Sequence, residues 1–265
     1  MYSIRQYVFP ESLAEAYRLL QADSGNTIIG GGAYLRLSNK IIETAIDISR
    51  LDLDFIREET DSIEIGAMTT FREIETSPLL KKYFSGILPE SVKDIVGVQL
   101  RNIVTAGATV YARFGFSDFI TALLALDVEV ELYHAGRMPL EKFLKEGAPR
   151  DILVKLVIKN TAGKASFQAM RNSYGDYAIL NAAVSKLGDH WKIVVGARPG
   201  RGEIAREASK YLEQCGLTPE EIEEAARMAA KELTFGSNIR GSREYREAIC
   251  PVLIKRAVQE VLAWK

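Results

Sequence analysis

Cysteine and histidine are scarce in this sequence of 265 residues. It contains two cysteines, Cys215 and Cys250, and two histidines, His134 and His190. Two cysteines are too few to hold an iron–sulfur cluster or a cysteine-rich zinc site, and two histidines do not favour a histidine-based metal centre. We interpret both cysteines as small buried apolar residues at helical positions. Redox chemistry would therefore require an organic cofactor or a partner chain.

Charge excess and long apolar runs are also missing. Lysine and arginine number 34 and aspartate and glutamate number 35, which gives a formal charge of −1. This balance argues against nucleic acid as a partner. No apolar run reaches the roughly 18 residues that a membrane span requires, and residues 1–6 lack the apolar core of a signal peptide. We expect a cytoplasmic protein that is long enough for two domains.

Short strands and helices are predicted along the first two thirds of the chain. Ser12 is the predicted N-cap of the first helix, and residues 27–29 and 44–48 are predicted strands of a small β-α-β start. A second helix is predicted from Thr70 through Ile74, and another is predicted to open at Pro78. Alternation of apolar residues predicts further strands at 55–57, 62–65, 127–133, 152–158 and 165–170.

The pattern changes near residue 175. A β-hairpin is predicted over 177–197, with its turn at Gly188-Asp189. Helices are predicted at 203–215 and 219–231, followed by a last helix that Ser242 caps and Pro251 kinks. We place a domain boundary near residue 168, with domain 1–168 divided into subdomains of about 1–55 and 56–168, and a C-terminal domain at 169–265.

Three consecutive glycines, Gly30-Gly31-Gly32, follow the strand at 27–29. Without side chains, their backbone N–H groups could lie directly against a bulky anion. The run is not the dinucleotide fingerprint, because Leu35 occupies its last glycine position, and it lacks the lysine and hydroxyl residue of a P-loop. From the glycines alone, a plain turn is an equally good interpretation.

A second run of small residues reads Thr105-Ala106-Gly107-Ala108-Thr109. The hydroxyls of Thr105, Thr109 and Ser117 could donate to phosphate or sugar-like oxygens, and Asp118 could accept from sugar-like hydroxyls. Spacing alone favours the simpler interpretation, in which the threonines form a turn and Ser117-Asp118 caps a helix.

The order of these segments resembles the flavin-binding subunit of the molybdenum hydroxylases, the group of the xanthine, carbon monoxide and nicotinate dehydrogenases. No single motif is specific to this group, but the order and spacing of the motifs together are specific. The resemblance covers almost the whole chain. The matching segments are 9–16, 30–32, 45–49, 64–67, 101–102, 117–118, 123–126, 176–178 and 244–246, with the single residues Thr105, Gly107, Phe167 and Arg171.

The resemblance implies an α+β protein. Its first part would have the two-subdomain FAD-binding fold of the PCMH type, which the covalent-flavin oxidases and the enolpyruvyl reductases share. A small α+β C-terminal domain with an antiparallel sheet and helices would follow.

The resemblance also implies FAD as the cofactor. Residues of the first loop would hold its diphosphate through backbone donors: Ile28, Ile29, Gly30, Gly31, Gly32, Ala33 and Tyr34. The second loop and the helix after it would contribute Thr105, Gly107, Thr109, Ser117 and Asp118, the last at the sugar-like chain. Leu153 and Gln168 would approach the flavin ring. A valine at position 31 would then occupy the space of the diphosphate.

The second loop departs from the family pattern, which reads Thr-Ile-Gly-Gly-Asn. Ala108 replaces the second glycine, which matters if that position needs a positive φ, and Thr109 replaces the asparagine. Downstream, Tyr111, Phe114 and Phe116 stand where the family has small or polar residues. These rings could pack on the flavin, on a partner subunit or in the core.

The function implied by the resemblance is electron transfer within a multi-subunit enzyme. Electrons would come from a [2Fe-2S] small subunit and pass through FAD to NAD+ or another acceptor, while a molybdopterin-binding large subunit would oxidise the substrate. The chain itself would then need no catalytic side chain. A flavin-free structural subunit and a stand-alone flavin oxidoreductase are the alternatives. The covalent oxidases need a His or Cys attachment point, and this chain has none of either within the two loops.

Overall fold

The computed structural model describes residues 2–35, 38–147 and 150–263. The chain forms two compact units. One comprises residues 1–74, 98–112 and 128–158, and the other comprises 75–97, 113–127 and 159–265. The domain boundary expected near residue 168 stays a prediction.

A parallel three-stranded sheet opens the first unit, with the strand order β1-β3-β2. Its strands are β1 (Ser3–Val8), β2 (Thr27–Ile29) and β3 (Ile41–Asp47), and helix α1 (Leu13–Ala22) connects the first two. The predicted cap is confirmed, because Ser12 Oγ accepts from the amide of Glu15 at 3.1 Å. Ala16 and Leu20 of α1 pack with Ile46 of β3 in one apolar cluster, which fixes the helix on the sheet.

The first unit also contains a five-stranded sheet in the order β4-β5-β8-β6-β7. Its strands are β4 (Ile56–Glu58), β5 (Ser62–Gly66), β6 (Val128–Leu132), β7 (Gly136–Pro139) and β8 (Leu153–Lys159). The short helices of this part of the chain are α2 (Phe71–Thr76), α5 (Val98–Arg101), α6 (Ala106–Ala112) and α8 (Leu140–Glu146).

An antiparallel four-stranded sheet forms the centre of the second unit, in the order β12-β11-β10-β9. Its strands are β9 (Gly163–Met170), β10 (Leu180–Leu187), β11 (His190–Gly196) and β12 (Glu203–Ile204). The predicted hairpin is confirmed, because Leu187 pairs with His190 across the turn at Gly188. The helices are α3 (Pro78–Lys82), α4 (Ile87–Val92), α7 (Asp118–Leu124), α9 (Arg206–Gln214), α10 (Pro219–Glu232) and α11 (Arg243–Ala263).

The last helix, α11, packs on strands β9 and β10. Ser242 Oγ accepts from the amide of Tyr245 at 3.2 Å, which confirms the predicted cap. Pro251 lies within this helix. Cys250 is buried in it as expected, whereas Cys215 is half-buried and follows the last residue of α9. Among the described residues, no helix is both long and apolar enough to cross a membrane.

Several features differ from the sequence-based expectations, and three of them have a clear physical reason. Strand β1 was not predicted, because it lies at a sheet edge with most of its side chains exposed and pairs with residues far along the chain. The helix expected from residue 203 begins at Arg206, since Glu203 and Ile204 pair with β11. The second run of small residues is the start of helix α6, not a turn.

Charged side chains of the five-stranded sheet surround the buried carboxylate of Glu64. Lys155 Nζ lies 2.7 Å from Glu64 Oε1, and Arg57 Nη2 lies 2.6 Å from Oε2. Burial would raise the pKa of Glu64, but the hydrogen bonds from Lys155 and Arg57 outweigh it and lower the pKa. A carboxylate with a lowered folded-state pKa stabilises the fold above its unfolded-state pKa, and this stabilisation is lost as pH falls through the folded value.

We therefore expect the free energy of unfolding of the Glu64→Gln variant to change less with pH in the acid range than that of the wild type. Urea unfolding of the wild type and the variant at about pH 7 and about pH 4 would measure it. The two proteins should differ more at the higher pH. An equal difference at both pH values would contradict the assignment of Glu64 as an ionised partner of Lys155.

Candidate functional site

The glycine run forms a bend whose backbone touches the second run of small residues. Gly31 and Gly32 have φ angles of 69° and 66°, in the left-handed region that favours glycine. A Cβ at Gly31 would lie 1.7 Å from the carbonyl oxygen of Ile103. Gly31 is thus required by contact with the protein's own backbone, a reason that the sequence did not indicate, and its expected contact with the diphosphate stays a prediction.

The amides of this bend are available to an anion. The backbone N–H groups of Gly30, Gly31, Gly32 and Ala33 donate no hydrogen bond to a described residue. Successive N–H groups in a turn with left-handed residues make a concave anion-binding surface. Gly32 adds free space, because the nearest atom to a Cβ there would be 3.9 Å away.

The second run packs closely on the segment before α2. The amides of Ala106 and Gly107 donate to the carbonyl oxygens of Thr69 and Ala67, at 2.9 Å and 2.8 Å. A Cβ at Gly107 would lie 2.5 Å from Ala67 Cβ, so only glycine fits here. Thr105 Oγ1 donates to the carbonyl oxygen of Gly30 at 3.3 Å and thereby joins the two runs.

Both departures from the family pattern lie in helix α6. Ala108 does not have a positive φ, so its methyl group causes no backbone strain. The hydroxyl of Thr109 donates to the carbonyl oxygen of Thr105 at 2.9 Å, as threonine commonly does within a helix. The altered run is therefore compatible with a regular helix.

Restoring glycine at position 108 is expected to destabilise the protein. Ala108→Gly should cost about 1 kcal/mol through the lower helix propensity of glycine, without tightening flavin binding. Urea unfolding and titration with FAD would measure both quantities. Flavin binding that became tenfold tighter would show that the methyl group obstructs the cofactor.

A cavity of about 450 Å³ lies beside the two runs in the first unit. This volume is in the range of small-molecule sites, about 300–1,000 Å³. Of the residues selected from the sequence, Ile28, Gly30, Gly107 and Leu153 line it. Several other lining residues were not selected from the sequence as binding residues, and these are Asn26, Lys40, Ala67, Met68, Arg150 and Asp151.

Two of these residues have buried polar atoms without a partner. Neither Asn26 Oδ1 nor Arg150 Nε makes a hydrogen bond within the described residues. The other nitrogens of Arg150 donate to the carbonyl oxygens of Ser24 and Asp23, at 2.7 Å and 2.8 Å. Buried polar groups in folded proteins are generally satisfied, so these atoms indicate an absent polar ligand or water in the cavity. The charged residues of the lining are Lys40, Arg150 and Asp151, so positive charge is in excess by one.

Tyr111 also lines this cavity, so one of the unexpected aromatics belongs to the site. Its hydroxyl accepts from the amide of Asp151 at 3.3 Å, and its ring lies 6.0 Å from that of Phe143. Phe114 and Phe116 belong to the second unit, where their rings stack with centroids 5.0 Å apart.

Ser117, Asp118 and Gln168 are in the second unit. Ser117 is the N-cap of α7, because its hydroxyl accepts from the amide of Ile120 at 3.2 Å. Gln168 is half-buried in β9, and its Nε2 lies 3.4 Å from Ser166 Oγ.

Asp118 is buried and paired. Arg171 Nη2 lies 2.7 Å from its Oδ2, and Asn181 donates to its Oδ1. Burial raises the pKa of the Asp118 carboxyl, while the Arg171 guanidinium acts in the opposite direction. Each carboxylate oxygen still has a lone pair for a second donor.

Known protein families match this chain over nearly its whole length. The family described as the FAD-binding domain in molybdopterin dehydrogenase matches residues 2–159. The family described as the CO dehydrogenase flavoprotein C-terminal domain matches residues 165–261.

Individual relatives also match this chain over nearly its whole length. The chain is 28% identical to the nicotine 6-hydroxylase medium subunit of Paenarthrobacter nicotinovorans, over 96% of each chain. It is 26% identical to the carbon monoxide dehydrogenase medium chain of Afipia carboxidovorans, over 97% of this chain and 96% of that one. Among solved structures, carbon monoxide dehydrogenase from Hydrogenophaga pseudoflava superimposes with a TM-score of 0.88 at 26% identity, covering 98% of both chains.

These matches confirm the fold class expected from the sequence, an α+β flavin-binding fold followed by a C-terminal domain with an antiparallel sheet. They also confirm FAD as the cofactor. The chain belongs to the FAD-binding medium subunits of the molybdenum hydroxylase family and is an oxidoreductase subunit.

Proposed function

We propose that this subunit transfers electrons from the [2Fe-2S] clusters of a small subunit, through FAD, to NAD+ or another soluble acceptor. A molybdopterin-binding large subunit would oxidise the substrate. The single observation that best supports the proposal is the row of amides from Gly30 to Ala33, which have no acceptor within the described residues and lie beside a cavity whose lining has an excess of one positive charge.

The residues of the first unit fit a dinucleotide. The amides of Gly30, Gly31, Gly32 and Ala33 would hold the diphosphate, since neighbouring N–H groups stabilise an anion. Ile28, Gly107 and Leu153 supply apolar or small walls to the cavity. Arg150 Nε and Asn26 Oδ1 provide one donor and one acceptor that have no partner within the described residues.

Two further residues are expected to orient the cofactor, Asp118 and Gln168. We assign Asp118 to the hydroxyls of the sugar-like chain, with Arg171 and Asn181 holding its carboxylate in place. Gln168 would donate to the ring without adding a charge. When bound, FAD supplies a ring that accepts and releases electrons, so the chain needs only to position it and shape its electrostatics.

The names of the relatives support the proposed partners. The nicotine 6-hydroxylase and carbon monoxide dehydrogenase relatives are medium subunits of their enzymes. By analogy, this chain would function beside a larger and a smaller subunit.

Affinity purification from the native source tests the partners and the cofactor together. We expect two co-purifying chains, one with molybdopterin and one with iron–sulfur absorbance, and flavin absorbance in the complex. A chain that purifies without these partners and still reduces an acceptor with its own substrate would contradict the proposal and favour a stand-alone oxidoreductase.

A further inference from the structure

A buried row of polar side chains in the second unit joins helix α7 to strand β10. Asp118 and Thr121 of α7 and Asn181 of β10 are each at most 4% exposed. Thr121 Oγ1 lies 3.0 Å from Asn181 Oδ1, and the amide nitrogen of Asn181 donates to Asp118 Oδ1. The residue that we assign to the sugar-like chain of FAD is therefore held by residues that have no assigned contact with the cofactor.

This row of side chains fits only because residue 196 is glycine. Gly196 pairs with Asn181 across strands β10 and β11. A Cβ at Gly196 would lie 2.1 Å from Thr121 Oγ1 and 2.4 Å from Asn181 Oδ1. The backbone of β11 thus fixes where the Thr121 hydroxyl and the Asn181 amide can lie.

The Thr121 hydroxyl determines which atom of Asn181 faces Asp118. A threonine hydroxyl has one proton, and among the described residues its acceptors are Asn181 Oδ1 at 3.0 Å and the carbonyl oxygen of Ser117 at 3.2 Å. When Thr121 donates to Asn181 Oδ1, the amide nitrogen of Asn181 donates to an ionised Asp118. If Asp118 gained a proton, it would itself donate to Asn181 Oδ1. The amide would then have to turn, and the Thr121 proton would go to Ser117.

Two groups favour the ionised form of Asp118. Burial raises the pKa of its carboxyl, Arg171 and the hydrogen bond from Asn181 lower it, and the charge of Asp94 raises it. The net effect is a pKa above the ordinary value for aspartate, so loss of either donor would move protonation further toward neutral pH. The other charged side chains on the elements that pack on α7 interact elsewhere in the second unit, and these are Glu90, Lys186, His190, Lys192 and Glu203.

We propose that Thr121, Asn181 and Gly196 are positioning residues for FAD, which hold Asp118 as an ionised acceptor for the hydroxyls of the sugar-like chain. The inference rests on the proposed function, within which Asp118 binds those hydroxyls. A protonated Asp118 would have one acceptor fewer. FAD affinity should therefore fall at acid pH, and it should fall at a higher pH when the Thr121 hydroxyl or the Asn181 amide is missing.

Titration of the flavin-free chain with FAD, from about pH 5 to about pH 8, tests the proposal. Thr121→Val keeps the shape of the side chain and removes the hydroxyl, whereas Thr121→Ser keeps the hydroxyl and removes a methyl group. We expect Thr121→Val to weaken FAD binding roughly tenfold at neutral pH, the equivalent of about one hydrogen bond. Thr121→Ser should bind FAD within about threefold of the wild type. Asn181→Leu should resemble Thr121→Val, and in both variants binding should be lost at a higher pH than in the wild type.

Ser185→Ala is the matched control. Ser185 lies on the same face of β10 as Asn181, is fully buried and donates to the carbonyl oxygen of Ala125 at the end of α7. Its loss should lower stability to urea but leave FAD binding and its pH profile unchanged. Asp118→Asn has no carboxyl to titrate, so it should bind FAD weakly and without the acid dependence of the wild type.

Three outcomes would overturn the proposal. Thr121→Val could bind FAD as the wild type does, with the same pH profile, which would make the hydroxyl purely structural. Thr121→Ser could lose as much affinity as Thr121→Val, which would assign the effect to side-chain shape. Ser185→Ala could lose as much as either, which would assign it to general destabilisation. Failure of the proposed function gives a different result, namely a wild-type chain that takes up no FAD, and the proposal would fail with it.

Discussion

Gly31→Ala is expected to destabilise the first unit by roughly 2–5 kcal/mol, from the left-handed backbone and from overpacking. Its Cβ would lie 1.7 Å from the carbonyl oxygen of Ile103, so the bend and the second run would have to separate. The same movement would displace the amides that we assign to the diphosphate. Flavin content should therefore fall together with stability.

Gly32→Ala is the matched control for this prediction. Gly32 has nearly the same φ, 66° against 69°, but no atom lies closer than 3.9 Å to its Cβ position. Only the backbone cost of about 1–2 kcal/mol should remain. Urea unfolding and the flavin-to-protein absorbance ratio would measure both variants. Equal losses in the two variants would show that contact with Ile103 is unimportant.

Asp118→Ala is expected to destabilise the second unit by roughly 3–5 kcal/mol, the usual cost of leaving one member of a buried ion pair alone. The change leaves Arg171 without its carboxylate and removes the acceptor of Asn181. If Asp118 also accepts from FAD as proposed, flavin binding should weaken by roughly 1–3 kcal/mol.

A second substitution separates these two effects. Arg171→Met added to Asp118→Ala removes both charges, so most of the stability lost in the single variant should return. Flavin binding should stay weak in the double variant, because the acceptor is still missing. An unaltered dissociation constant for FAD in both variants would show that Asp118 has only a structural role.

Local signals in the sequence predicted many of the elements. Ser12 and Ser242 precede apolar residues at helical spacing, and each caps a helix through its own hydroxyl. Gly188 lies between two alternating runs, and the strands on either side pair directly. These features depend on residues a few positions apart, so the sequence contains the information needed.

Elements that depend on distant partners were missed. Strand β1 pairs with β3 nearly forty residues later and has no strong alternation of its own. Strand β12 has only two residues, and its strand conformation depends on antiparallel pairing with β11. Neither signal can be found within a short window of sequence.

The residues of the candidate site also divide into those that the sequence indicated and those that only the structure revealed. The small residues at Gly30, Gly31 and Gly107 were selected because a backbone must approach something closely there. The structure shows that the close neighbour of Gly31 is Ile103 and that the close neighbour of Gly107 is Ala67, both in the same chain. Asn26 and Arg150 were missed because their polar atoms become notable only when burial leaves them without a partner.

The sequence by itself determined the family, the cofactor and most helices and strands, because order, spacing and periodicity are properties of the chain alone. Only the tertiary structure decided which amides of the bend have no acceptor among the described residues, and that Ala108 is helical and unstrained. Hydrogen-bond satisfaction, burial and close approach arise between residues distant in sequence, and they exist only once the chain has folded.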